Sequence, residues 1–157
     1  MSAAQGDATP RIVLDTNVCL DLFVFGDPAV AVLRDALSRG DVIGMTDAAC
    51  LDEWHRVLAY PVLGLGDDAR EAPSQAYDAV MHRHAAERPA IALPRCADPD
   101  DQKFLELAAA CNARWLLSRD DALLKLARRM QREHGLEILS PRDWCAAWTP
   151  SFRPSPE

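Results

Sequence analysis

The strongest constraint on the fold is the alternation of short, β-branched apolar runs with amphipathic segments along the whole chain. RIVLD (residues 11–15) has the length and composition of a strand buried on both faces. PAVAVLRDALSRG (28–40) follows as a helix, with Pro28 in its first turn and Gly40 as its stop. DVIGMT (41–46) is a second strand. DAACLDEWHRVLAY (47–60) is a helix capped by Thr46 or Asp47 and ended by Pro61. The Pro-, Gly- and Asp-rich stretch 61–75 reads as a loop, where mobility is expected. SQAYDAVMHRHAAER (74–88) reads as a helix and PAIALPRCADPD (89–100) as an extended connection. A helix over 100–112, a strand over ARWLLSR (113–119) and a helix over 120–135 closed by Gly135 come next. A strand over LEILS (136–140) and a short helix over 141–148 complete the series. Such a pattern predicts a single α/β domain with a mostly parallel, four- to five-stranded sheet and helices on both faces.

The 157 residues suit one domain with a real core. Residues 1–10 lack the basic start and apolar stretch of a secretory signal and are expected to be a disordered lead-in. Residues 11–148 form the domain. Residues 149–157, with three prolines, are expected to be a flexible tail. No stretch is long and apolar enough to cross a membrane, so no membrane partner is expected. The five cysteines are odd in number, widely spaced and without a C-x-x-C pair. That pattern favours reduced thiols in a cytoplasmic protein over disulfides or zinc. The net charge of −7 argues against a broad basic nucleic-acid footprint, so any such contact needs a local basic strip.

The first strand runs directly into Asp15, and a carboxylate is costly to bury without a cation or a donor beside it. In an open parallel sheet the functional crevice lies beyond the carboxyl ends of the strands. Asp15 ends the first strand and Asp120 follows WLLSR, so both belong on that rim. Asp101 opens the helix DQKFLELAAAC, where the helix dipole favours a negative charge. On the helix 47–60, Cys50, Leu51, Trp54, Val57 and Leu58 make one stripe. Asp52 falls opposite it, whereas Glu53 lies on its flank, roughly 100° from the centre. Glu53 is therefore the better candidate to reach the sheet edge. Four carboxylates that meet would repel one another, and oxygen-only ligands suit Mg²⁺ or Mn²⁺, as one or two ions. Such sites hydrolyse phosphodiesters.

IVLDTNV, ACLDEWHRVL, DPDDQKFLELA and WLLSRDDALL, in that order, resemble the PIN-domain family of metal-dependent ribonucleases. The resemblance covers residues 11 to 145 or so and is nearest to the bacterial branch identified as toxins of toxin–antitoxin pairs. It implies that Asp15, Glu53, Asp101 and Asp120 form a catalytic, metal-binding acidic quartet. It gives supporting places to Thr16 and Asn17, at the turn, and to Ser118, at the family's small hydroxyl position. It implies Mg²⁺ or Mn²⁺ as cofactor, RNA as substrate and an antitoxin protein as a partner. Short α/β domains of this kind often pair through helices, which makes a homodimer a reasonable expectation. Arg119 departs from the pattern, standing where this branch usually carries glycine. A cation there either competes with metal or grips a phosphate.

Lys125, Arg128, Arg129 and Arg132 fall on one stripe of the helix 120–134, which is either a solvated face or a track for an RNA backbone. With Arg119 and Lys103 they are the candidate substrate contacts. Asp21 is expected to face solvent. Two other classes compete with the nuclease. One is a degenerate PIN-like module that binds RNA or protein without catalysis. The other is an aspartyl-phosphate phosphatase, which wants a second Asp two residues after the first, where this chain has Asn17.

Overall fold

The computed structural model describes residues 9–85 and 92–148. β1 (Arg11–Leu14) leads into α1 (Thr16–Phe23), a 3-10 turn at Pro28–Val30, and α2 (Ala31–Arg39). β2 (Ile43–Thr46) and α3 (Ala48–Leu58) follow, then 3-10 turns at Pro61–Leu63 and Asp68–Arg70, α4 (Glu71–Val80) and β3 (Met81–Arg83). After a 3-10 turn at Pro99–Asp101 come α5 (Gln102–Ala110), β4 (Trp115–Leu117), α6 (Asp121–Leu124), α7 (Ala127–His134), β5 (Glu137–Leu139) and α8 (Pro141–Ala147). The strands make one sheet in the order β3-β2-β1-β4-β5, with every neighbouring pair parallel.

Alternation along the strands divides the core in two. Ile12 and Leu14, with Trp115 and Leu117, face a layer built from α1, α2, α3, α4 and α8, in which Leu33, Trp54, Tyr77 and Trp144 are buried. Val13, Met45, Leu116 and Ile138 face the opposite layer, with Phe104 and Leu105 of α5, Leu123 of α6 and Met130 of α7. The sheet is covered on both faces, as a parallel sheet requires. Trp54 stacks on Tyr77 with ring centroids 5.0 Å apart, and Phe23 meets both edge-on. Trp115, Trp144 and Trp148 form a second aromatic group, so the tryptophans serve packing. All five cysteines are free thiols, four of them buried. No single helix among the described residues is long and apolar enough to cross a membrane.

Four elements differ from expectation. α1 begins immediately after Asp15. Its buried Val18, Cys19 and Leu22 make a helical face too short to stand out in sequence. The loop expected at 61–75 holds the two 3-10 turns, and α4 starts at Glu71, with Pro73 tolerated in its first turn. The helix expected over 74–88 stops at Val80, and Met81–Arg83 becomes the edge strand β3. Three residues carry no periodicity, so only the pairing with β2 defines them. The helix expected over 120–135 breaks at Lys125–Leu126 into α6 and α7, the second closed by Gly135 at φ 70°. Residues 1–8, 86–91 and 149–157, where the lead-in, the end of one expected helix and the tail were assigned, lie outside the described residues.

Gly44 is needed where β3 presses on β2. A Cβ there would meet Met81 Sδ at 2.5 Å, the Val80 carbonyl oxygen at 3.2 Å and Leu37 Cδ2 at 3.3 Å. Gly44→Ala is expected to destabilise the fold by about 1–3 kcal/mol, the usual range for overpacking. Urea denaturation measures this. A wild-type midpoint would mean that Met81 swings aside without cost.

Candidate active site

The carboxyl ends of β1 and β4 lie side by side, with Leu14 opposite Leu117. The next residue on each chain is therefore at the sheet rim. Ser118 Oγ donates to Asp15 Oδ2 at 2.6 Å, and the Asp120 N–H donates to the same Ser118 Oγ at 2.9 Å. Ser118 is fully buried and ties the first acidic residue to the fourth. Asp15 is itself buried, at 4% exposure. Burial raises its carboxyl above the ordinary range and Glu53's charge adds to this, against the opposing pull of Ser118 and the Thr16 and Asn17 backbone.

Asp98, Asp101 and Asp120 form the tightest acidic cluster among the described residues. One carboxylate oxygen from each lies within 4.8 Å of the others. Local chain chemistry puts them there. Asp98 caps the turn at Pro99–Asp101 by accepting from the Asp100 N–H at 3.0 Å. Asp120 caps α6 by accepting from the Ala122 N–H at 3.0 Å. Asp101 stands at the N-terminus of α5 and is buried, and its Oδ2 has no hydrogen-bond partner. Burial, the facing Asp120 carboxyl and the charge of Asp15 push the Asp101 carboxyl up to about 8, while its contact with Asp101 holds Asp120 down. Two carboxylates this close share a proton or a cation. A hard divalent cation fits this donor set: three clustered carboxylates, one with a buried, unpartnered oxygen.

These groups open into a cleft of about 540 Å³ that also takes in Asp15, Thr16, Asn17 and Glu53. The structure thus brings all four residues of the expected quartet to one cavity, with Glu53 in it and Asp52 exposed. Glu53 is nonetheless set apart from the cluster. Its Oε2 accepts from Thr16 Oγ1 at 2.5 Å, and its Oε1 is paired with the Lys103 ammonium.

The expected substrate contacts are distributed differently. Lys103 does not line the cleft. Its place in the first turn of α5 directs it to Glu53 and to the Asp100 carbonyl oxygen. Arg119 does not line the cleft either, and its Nε lies 3.1 Å from Asp21 Oδ2. Asp21, expected at the surface, is buried at 8% exposure because α1 carries it under that guanidinium. Arg119→Ala is expected to raise the titration midpoint of Asp21, whose carboxyl burial already lifts and Arg119 holds down. An NMR titration reads this, and an unmoved midpoint would show the pair to be idle. The break before α7 separates Lys125 from Arg128, Arg129 and Arg132, and Arg129 is paired with Glu133 at 3.1 Å.

Sequence reasoning missed Asp98 as a member of the cluster. The D-P-D-D run was the available signal, since a cap three residues before a buried Asp turns its carboxylate toward the same side. It also missed Arg56 and Tyr60, which line the cleft from α3 and the segment after it.

A family model described as a PIN domain matches residues 11–122, most of the chain. The chain belongs to the PIN-domain family. Members of this family are generally nucleases that use divalent metals. The PIN domain described above is also similar to a chain of VapBC2 from Rickettsia felis, solved bound to a DNA fragment from their promoter. The TM-score is 0.53 at 11% identity, over 82% of this chain and 96% of that one. At that identity the likeness concerns the fold. No curated protein matches the sequence. The PIN fold accounts for the placement of the acidic residues: two follow parallel strands at one rim, one opens the helix leading into β4, and one reaches across from α3.

Proposed function

We propose that this PIN domain is a divalent-metal-dependent endoribonuclease. The observation that carries this reading is the Asp98–Asp101–Asp120 cluster, with the buried, unpartnered Oδ2 of Asp101 inside it. Asp98, Asp101 and Asp120 would hold Mg²⁺ or Mn²⁺, with Asp15 beside them. The ion would supply Lewis-acid polarisation of a phosphoryl oxygen and a lowered pKa for water. The chain's own residues do the positioning. Ser118 fixes Asp15 and the Asp120 backbone in one hydrogen-bonded unit, so two of the carboxylates cannot drift apart. Thr16 holds Glu53 against the cleft wall. Asp15, buried next to this cluster and fixed by Ser118, is placed to orient the attacking water. In-line attack of water on the phosphodiester leaves a 5′-phosphate and a 3′-hydroxyl. The strongly acidic cleft repels RNA until a cation is present, which makes the cation a condition of binding as well as of chemistry.

The motif resemblance and the fold shared with a VapBC2 chain support reading the protein as the toxin of a toxin–antitoxin pair, with an antitoxin protein as its partner. Lys125 and Arg128, both exposed, are the remaining candidates for RNA backbone contacts outside the cleft, since Arg129 and Arg132 both pair with Glu133.

The test is cleavage of a structured RNA pool in Mn²⁺, in Mg²⁺ and in EDTA. Cleavage in either metal and none in EDTA is the expected result. Folded protein that binds RNA but cuts nothing in any metal would replace this reading with the non-catalytic binding module.

A further inference from the structure

Both oxygens of Glu53 are already taken. Thr16 Oγ1 donates to Oε2, and the Lys103 ammonium sits against Oε1. The pair is largely withdrawn from water, with side-chain exposures of 16% for Lys103 and 17% for Glu53. Lys103 is held from a second side by the Asp100 carbonyl oxygen. Separating such a pair leaves two partly buried charges uncompensated, which is costly. A divalent ion at Glu53 would have to displace the ammonium, or stand beside it and suffer direct repulsion. The other acidic group in the cleft differs: Asp98, Asp101 and Asp120 crowd together, and Asp101 Oδ2 has no hydrogen-bond partner.

We infer that Lys103 is a positioning residue that withdraws Glu53 from the ligand set, so that this cleft takes one divalent ion, at the Asp98–Asp101–Asp120 end. The lysine stands where a second ion would find its carboxylate. The inference rests on the metal-nuclease reading but says something separate, namely how many ions the acidic cleft accepts and which side chain sets the number. Removing the ammonium frees Oε1 of Glu53, a carboxylate that lines the cleft with Asp15, and that opens a second position.

The experiment counts Mn²⁺ bound to purified protein by isothermal titration calorimetry, with the free ion measured by electron paramagnetic resonance. The wild type is expected to bind one Mn²⁺, Lys103→Met two, and the double variant Lys103→Met/Glu53→Gln one again. Lys103→Arg keeps the cation and is expected to stay at one. Circular dichroism confirms that each variant is folded. Two ions in the wild type would overturn the inference while leaving the nuclease reading intact, and this arm needs no variant. One ion in folded Lys103→Met would also overturn it, since the lysine would then exclude nothing. No bound Mn²⁺ in the wild type would overturn both this inference and the metal-dependent reading it rests on.

Discussion

Asp101→Asn is expected to lose metal-dependent RNA cleavage by about 100-fold or more, the scale of removing a group that stabilises charge in a transition state. The same variant is expected to melt at a higher temperature than the wild type in EDTA at pH 8. Both effects have one cause. Without a cation, Asp101 is a buried carboxyl facing Asp120, with Asp15 close by, and its pKa is raised to about 8. In the unfolded chain it titrates near the ordinary carboxylate value of about 4. A folded pKa above the unfolded one means that the native state binds more protons. The stability this represents is complete below about pH 4 and drains away as the pH climbs toward 8. Asparagine keeps the shape, cannot ionise, and offers an amide donor to Asp120. The melting temperatures of variant and wild type should therefore separate as pH rises and converge as it falls. Mn²⁺ should raise the wild-type melting temperature far more than the variant's. A variant that melts below the wild type at pH 8 would show that the carboxylate is compensated by something other than a proton or a metal.

The parts of this molecule that were legible in its sequence are those where local pattern and tertiary role agree. The IVL of RIVLD and the WLL of WLLSR are apolar throughout because both faces of the sheet are covered, so β1 and β4 could be read directly, and with them the rim that carries Asp15, Ser118 and Asp120. Helical periodicity separated Glu53 from Asp52, and the structure places Glu53 in the cleft. What could not be read was pairing between distant side chains. Nothing local marks Lys103 as the partner of Glu53, because the contact joins α5 to α3 across the cleft wall. Nothing local sends Arg119 to Asp21, which lie on segments brought together only by the parallel β1–β4 pairing. β3 was hidden for a related reason. Its three residues are a strand by virtue of Gly44 and β2 beside them.

Asp98→Asn is expected to weaken Mn²⁺ binding by about 10-fold or more, a loss at least as large as that of an outer-shell partner, while leaving the fold's stability near that of the wild type. Asp100→Asn is expected to leave both close to wild type. The two residues look alike in DPDD, so the contrast tests the geometry. Asp98 does two things at once: it caps the turn through the Asp100 N–H, and it offers a carboxylate oxygen to Asp101 and Asp120. Asparagine caps a helical turn about as well as aspartate, so the structural task survives the substitution. It carries no charge and is a poorer ligand for a hard cation, so the metal task does not. Asp100 is exposed, stands outside the cluster and contributes its backbone carbonyl to Lys103, a contact the substitution leaves untouched. Calorimetric titration with Mn²⁺ and thermal melting in EDTA separate the two tasks. An Asp98 variant with wild-type Mn²⁺ affinity would reduce this residue to a cap and move the metal toward Asp15. An Asp100 variant with the larger loss would mean that the turn at Pro99–Asp101 presents the other carboxylate to the ion.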